Sequence, residues 1–341
     1  MIKPHVTIHD IARELDISAS TVSRALHNHP RISEATRKAV HDLAEKYNYQ
    51  PNVVATSLRH GKSRTVGVIV PRINRNFFAN VIGGMEEVLA ASGFHLIICQ
   101  THERFDKERE ALQTLVNARV EAIIISVSME TSGDQHFRRY MERGIRLFFF
   151  DRVIDDLDAG TVVIDDRLGA FLNVKHLLGQ GYRRIYHVAG ADHITIYKAR
   201  KKGYLDAMHE AGIEPGEDWI IEKPLVMDGG IAAFREGMDS LKKPDAFFCA
   251  GDYAALGVLQ AARVSGLSVP EDLGITGFAN EPFTAFLQPS ITTVDQRGEE
   301  MGRIVAEMLK ETSDSGNPLS GHERKVLEPQ LIIRESSVIH N

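Results

Sequence analysis

Cysteine is nearly absent from this chain: Cys99 and Cys249 are the only two in 341 residues. Two thiols cannot supply a disulfide framework, and no Cys/His spacing typical of a zinc site occurs. Both lie inside apolar runs, FHLIICQ and AFFCAG, which read as buried strands carrying small core thiols. No apolar run approaches the roughly 18 residues of a membrane span, and no signal-peptide pattern opens the chain. The expectation is a cytoplasmic protein without membrane contact. Also missing are a P-loop, a G-x-S-x-G elbow and an H-E-x-x-H helix. The pairs Gly83-Gly84 and Gly229-Gly230 fall at or near helices and form no dinucleotide fingerprint. Neither catalysis, metal nor cofactor is expected, so the chain reads as a binder rather than an enzyme.

A large charge excess is lacking too. The formal balance of −6 taken alone argues against nucleic acid. It is unevenly distributed. Nine Lys/Arg against six Asp/Glu put residues 1–62 at +3 and the remainder at −9, and six of the 15 histidines lie in that first segment. A basic head on an acidic body suits a protein that meets phosphates with one end only.

What the head contains is a helix-turn-helix pattern. Thr7 is placed to cap a first helix, with Asp10 in capping-box position, and Ile8, Ile11, Ala12 and Leu15 mark its apolar face. Asp16-Ile17-Ser18 makes a tight turn. Ser18 then caps a second helix, Ala19–Leu26, with Val22, Ala25 and Leu26 inward. Ser33 caps a third, braced by Val40, Leu43, Ala44 and Tyr47. Such a unit puts the N-terminal end of its second helix into the DNA major groove.

From Thr65 onward, short Val/Ile/Leu/Phe runs alternate with helices: TVGVIV, FHLIIC, EAIIIS and RLFFFD, then TVVIDD, RIYHVAG, DAFFCAGD and LGITGF. Continuous apolar runs suit parallel strands buried on both faces. Two serial sets predict an α/β body of two doubly wound parallel-sheet lobes, with ligand contacts at the carboxyl ends of the strands. The expected boundaries are a headpiece over 1–50, a hinge and linker over 51–63, and a core over 64–341. Within the core, lobe 1 takes about 64–160 and 292–322, and lobe 2 about 161–291 and 323–336.

The strings VTIHDIA, STVSRAL, TRKAVHDLAEKYNYQPN, VGVIVP, NFFAN, ARKKGY, GDYAALG, VPEDLGITGF, PSITTVDQ and LIIRES occur in order and span essentially the whole chain. In them the sequence resembles the lactose-repressor/galactose-repressor (LacI/GalR) family of bacterial transcription regulators. The resemblance implies a core of periplasmic-binding-protein type and a homodimer on a palindromic double-stranded operator. No leucine heptad follows LIIRES, which favours a dimer over a tetramer. It also implies base reading by Ala19, Ser20 and Arg24. Of these, Arg24 can offer guanine a bidentate fork, or alternatively a plain phosphate contact. Thr7, Ser18, Thr21, Ser23 and Asn28 are assigned to phosphate positioning or capping. In the hinge, Asn52 and Ala55 match the family pattern and Leu58 aligns with its minor-groove wedge. The resemblance implies that this segment, too short to be a stable helix alone, folds only when two copies meet on DNA.

The resemblance also places effector contacts at Phe77, Phe78, Asp151, Arg200, Asp252 and Gln296, and Lys198 is added to them as a nearby cation that could assist Arg200. Aromatic rings can cover a sugar face while carboxylates and guanidinium groups fix hydroxyls. Asp151 has the alternative of pairing with Arg152, and Asp252 that of capping its helix.

Three positions depart from the pattern. Asp16 stands where glycine is frequent in the turn, a site whose left-handed geometry Asp tolerates. Thr56 stands where many members carry arginine. Ala279 stands where many members have an aspartate that accepts hydrogen bonds from the effector. With Arg72, Arg75, Arg152, Lys198 and Arg200 all near the expected cleft, this leans the expectation toward an anionic effector, a sugar acid or sugar phosphate rather than a neutral sugar.

The function expected is a DNA-binding repressor of carbohydrate uptake or catabolism genes, controlled by a small molecule. A solute-binding protein would share the body but not the headpiece, and a sugar-converting enzyme would need a catalytic constellation that does not occur.

Overall fold

In the computed structural model, residues 6–49, 63–315 and 323–339 are described, and the chain divides into two compact units, Met1–Ser63 and Arg64–Asn341.

The first unit holds α1 (Ile8–Glu14), α2 (Ala19–Leu26) and α3 (Glu34–Lys46). All three start where capping chemistry places them. The Thr7 N–H and hydroxyl both donate to Asp10, at 2.9 and 2.6 Å, and the Thr21 and Thr36 N–H groups donate to Ser18 and Ser33 at 3.1 and 3.2 Å. The three backbone N–H bonds each satisfy an otherwise orphan donor at a helix start. Asp16 takes the left-handed conformation, φ 51°, that the three-residue turn demands. Ile11, Ala12, Val22, Ala25, Val40 and Ala44 form a small common core.

The second unit contains two sheets. Strands β1 (Thr65–Val70), β2 (His95–Gln100), β3 (Ala122–Ile125), β4 (Arg146–Phe150) and β5 (Gly160–Ile164) lie parallel in the first. Between them run α4 (Asn76–Ala91), α5 (Phe105–Asn117) and α6 (Gln135–Met141), the last not foreseen from sequence. The second sheet has β6 (Ile185–Ala189), β7 (Ile220–Glu222), β8 (Ala246–Cys249) and β9 (Gly274–Thr276), also parallel, with α7 (Asp166–Gly179), α8 (Thr195–Glu210), α9 (Met227–Asp239) and α10 (Asp252–Val264). After β10 (Thr293–Asp295) and α11 (Gly298–Ser315), β11 (Arg324–Leu327) joins the first sheet, whose order is β11-β5-β4-β3-β1-β2. β12 (Gln330–Ile332) pairs antiparallel with β10.

The period of two shows directly in the packing. Val66, Val68 and Val70 face one core while Ile69 faces the other, and Phe148 and Phe150 alternate with Leu147 and Phe149 in the same way. A sheet covered on both faces is what near-continuous apolar runs build.

Three boundaries differ from the expected ones. The strand in TVVIDD pairs in register with β4 and not with the second sheet, so the first sheet extends to Ile164. The segment Arg324–Leu327 pairs with β5, which moves it from the second lobe to the first. Segment 292–295 goes the other way: the Gly277 and Ala279 N–H groups donate to Thr292 and Val294, which ties it to the second sheet. Apolar composition marks a strand but carries no label for its partner. β2 is a further correction. As the sheet's edge it leaves Ile97 and Ile98 exposed and Cys99 only half-buried, whereas Cys249 is buried as expected.

One member of each glycine pair, Gly84 and Gly230, finds its reason in a helix contact. A Cβ on Gly84 would come within 2.1 Å of the Glu299 carbonyl oxygen, and one on Gly302 within 2.0 Å of the Val81 oxygen. Helices α4 and α11 therefore touch backbone to backbone. Gly230 meets the Ala254 oxygen in the same manner, at 2.0 Å, where α9 crosses α10.

Candidate functional site

On the first unit, α2 presents two faces. Val22 and Ala25 are buried, while Ser20 and Arg24, one turn apart, are exposed on the opposite side. Among the described residues the Arg24 side chain has no hydrogen bond or ion pair, so its five N–H donors remain available. Ala19 is half-buried and packs against the unit's core, which limits it to a methyl contact. The hydroxyls of Ser18, Ser20 and Thr21 lie 2.8 Å apart in a chain at the helix start. The Thr7 hydroxyl is engaged by Asp10. The Ser23 carbonyl is bonded to His27 Nδ1 at 2.7 Å, and Asn28 follows α2 in a left-handed conformation, φ 54°. Asn52, Ala55 and Leu58 lie outside the described residues.

On the second unit, both lobes line a cavity of about 390 Å³ at the carboxyl ends of their strands. Phe77, Phe78, Asp151, Arg200, Asp252 and Gln296 all line it. Lys198 does not: it is exposed on α8. Two residues along a helix is about 200°, so Lys198 and Arg200 face opposite ways. The same period places Ile196 and Tyr197, at i−4 and i−3 from Arg200, on the cavity side. That signal is present in the sequence.

Arg200 is held from three directions. Its Nε and Nη2 lie 2.7 Å from Asp166, its Nη1 donates to the Ala250 carbonyl at 2.8 Å, and its guanidinium stacks 3.7 Å from the Phe278 ring centroid. Burial pushes the Asp166 carboxyl up to about 6, with Arg200 pulling against that rise. The contact at 2.7 Å keeps this pair ionic near neutral pH.

Asp252 does not cap its own helix. Its carboxylate accepts from the Glu281 N–H at 2.8 Å and from the Thr293 hydroxyl at 2.6 Å, pinning the loop after β9. Burial with no cation in contact raises it to about 6. Asp151, in a left-handed conformation at φ 58°, accepts from Ser126 at 3.1 Å, and burial raises its pKa. Asp151 also forms a looser ion pair with Arg152, at 3.9 Å. The closer partner of Arg152 is Glu103, with contacts of 2.7 and 3.3 Å.

Of the five cations expected near the cleft, four line the cavity and Lys198 does not. Arg72, Arg75, Arg152, Arg200 and Lys223 line the cavity, but so do Glu103, Asp151, Glu222, Asp252 and Glu281, five charges of each sign. The premise for an anionic effector falls with that balance. Glu103, after β2, and Glu281, after β9, come from loops other than those of Arg72, Arg75, Arg152 and Arg200, and only folding brings them together.

Residues 7–52 match the bacterial regulatory proteins of the lacI family, and residues 174–337 match the periplasmic binding protein-like domain. The ribose operon repressor of Haemophilus influenzae is 31% identical over 97% of this chain and 98% of its own. The chain belongs to the lacI family of bacterial regulatory proteins. Among solved structures, the transcriptional regulator CelR in complex with cellobiose aligns at 27% identity with a TM-score of 0.74, covering 97% of this chain and 99% of its own. The lac repressor dimer bound to operator and the anti-inducer ONPF aligns with a TM-score of 0.86 at 22% identity, covering 98% and 99%, and shares the fold. This lacI-family member is accordingly a DNA-binding transcriptional regulator with an effector-binding core, and not an enzyme. Among the described residues no helix is long and apolar enough to cross a membrane, and no group of His, Cys, Asp and Glu could hold a metal ion.

Proposed function

We propose that the protein is a homodimeric repressor of genes for carbohydrate uptake or catabolism, acting on a palindromic operator in the cytoplasm and governed by a small sugar-like effector in the cavity between its lobes. The observation that carries this reading is the joining, in one chain, of a capped recognition helix with Ser20 and Arg24 exposed and a cavity of about 390 Å³ lined by both lobes. The names of the relatives, a ribose operon repressor and a regulator bound to cellobiose, support a sugar class.

In this reading Arg24 reads a guanine, Ala19 and Ser20 make shorter base contacts, and Thr7, Ser18, Thr21, Ser23 and Asn28 meet phosphates. Asn52, Ala55 and Leu58 act in the minor groove, with Leu58 as wedge. Phe77 and Phe78 cover an apolar ligand face, while Asp151, Arg200, Asp252 and Gln296 define its polar rim. The exposed Ile97 and Ile98 of edge strand β2 belong to the contact with a second copy, which would cover unpaired backbone groups. Closure of the lobes on the effector changes the relation of the two copies and with it the pairing of hinges on DNA.

Selection of bound sequences from random duplex DNA, followed by mobility-shift titration with sugars, tests the reading. A dyad-symmetric site whose affinity changes with one sugar is expected. Bound DNA without dyad symmetry, or affinity indifferent to every sugar, overturns it.

A further inference from the structure

Ala279 removes one acceptor from the cavity, and the same loop delivers another. Ala279 and Asn280 are both left-handed, at φ 122° and 50°. Two such residues in succession cost backbone energy and persist only where the surroundings hold them. Here they are held. Asn280 donates through Nδ2 to Asp295 and accepts at Oδ1 from Arg334, each at 2.8 Å, and the Glu281 N–H is fixed on Asp252.

The outcome of this scaffold is the position of the Glu281 side chain. It is 6% exposed and lines the cavity. Among the described residues its carboxylate has a single hydrogen bond, a long one: the backbone N–H of Asn76 donates to Oε2 at 3.4 Å. A buried carboxylate with four acceptor positions and one weak donor retains capacity for a ligand.

Asn76 opens α4 in the first lobe, and the residue before it, Arg75, caps that helix with no side-chain hydrogen bond. Glu281 comes from the second lobe. One orphan donor of α4, the Asn76 N–H, is thus met across the cleft by a carboxylate from the opposite lobe, where a negative charge is favoured by the helix dipole. Arg75 itself stacks on Tyr253 of the second lobe, 3.7 Å from the ring centroid, beside the same carboxylate.

We infer that Glu281 is the specificity gate of the cavity: it occupies the α4 N-terminus, excludes effectors that carry a negative charge there, and accepts hydroxyl hydrogen bonds from a neutral polyhydroxylated effector in place of an acceptor at 279. The inference rests on the sugar reading above and narrows it to neutral members. An acid or phosphate directed at the α4 terminus meets like charge in a water-poor site, which disfavours it strongly. A hydroxyl meets a charge-assisted acceptor, about twice as strong as a neutral one.

Calorimetry on the full-length protein with matched pairs tests this: ribose against ribose 5-phosphate, glucose against glucuronate, and cellobiose against cellobionate. Wild type should bind the neutral member of its preferred pair at least about tenfold more tightly, the factor that one such hydrogen bond commands. Glu281→Gln keeps the shape and removes the charge, and should lose most of that discrimination. Glu281→Asp keeps the charge and should retain it. Inorganic sulfate supplies an arm that needs no knowledge of the effector. It should raise the melting temperature of Glu281→Gln and leave wild type and Glu281→Asp unmoved. Tighter binding of the acid by wild type, or equal sulfate shifts in all three proteins, overturns the gate. If no sugar binds wild type, the sugar reading fails, and the sulfate comparison still decides whether Glu281 guards the helix terminus.

Discussion

The guanidinium of Arg75, in the first lobe, lies 3.7 Å from the ring centroid of Tyr253, in the second. Together with the Asn76–Glu281 hydrogen bond and the 3.0 Å contact of His193 Nε2 with the Met129 carbonyl, it bridges the two lobes across the mouth of the cavity. Tyr253 is in turn braced edge-on by Phe283, with centroids 5.0 Å apart. A cation–π contact of this kind contributes about 0.5–2 kcal/mol. Tyr253→Ala should therefore shift the unliganded protein toward open lobes by up to roughly that amount. Pulsed dipolar distances between spin labels on the two lobes report the change, and a distribution identical to wild type would show the stack to be incidental.

Arg200→Ala should abolish the effector response, because the side chain lines the cavity and its guanidinium packs on Phe278. It also strands Asp166 in a buried position. Breaking one side of a buried ion pair costs about 3–5 kcal/mol, so the core should unfold at lower urea. Adding Asp166→Asn should recover much of the stability and none of the effector response. That separation distinguishes a ligand contact from a purely structural pair. Ligand-free operator binding should remain.

Arg24→Ala should weaken specific operator binding by about 1–3 kcal/mol and relax preference at one position of each half-site. Leu58→Ala should weaken binding to a centrally kinked operator and spare most non-specific affinity. Titration on specific and random duplexes separates the two roles. Equal losses on both DNAs for both variants would contradict them.

The pH dependence of stability should carry a signature of Asp252. Its folded pKa, about 6, stands above the ordinary 3.8, so the folded state holds a proton that the unfolded chain has released between those values. Its contribution to stability is fully present below pH 3.8 and is lost as pH rises through about 6. The unfavourable change is on the order of 3 kcal/mol, because each tenfold difference in proton affinity between folded and unfolded chain is worth about 1.4 kcal/mol. Asp252→Asn cannot titrate. The stability difference between variant and wild type, measured by urea unfolding from about pH 4 to 7, should move in the variant's favour as pH rises. A difference constant with pH would mean that Asp252 titrates near its ordinary value.

Much of this protein is local and therefore written in short stretches of sequence. The capping residues Thr7, Ser18 and Ser33 start their helices because their hydroxyl and backbone partners lie within three positions. The left-handed turn at Asp16 and the inward residues of α2 follow from periodicity and backbone sterics in the same way. The apolar runs announce strands, which in the first sheet are largely buried except for edge strand β2, and of the seven expected effector residues six meet at one cavity.

Sequence falls short where partners are distant or where nearness along the chain misleads. Lys198 and Arg200 are close in sequence, but a helix turns residues two apart to opposite faces. TVVIDD reads as a strand in either lobe, because its own composition does not select between neighbouring sheets. The cations of the cleft can be counted from sequence, but which carboxylates balance them, Glu103 beside Arg152 among them, is set by loops that only folding brings together.

Sequence alone thus determined most of the elements, the caps of the headpiece, the helix-turn-helix and the family, all matters of neighbours a few residues apart or of ordered motifs. Tertiary structure alone decided strand membership, the charge of the cavity, and the reach of Glu281 from one lobe to Asn76 in the other, 205 positions away in the chain. Electrostatics depends on distance in space, and for the cleft that distance exists only once two sheets have folded around it.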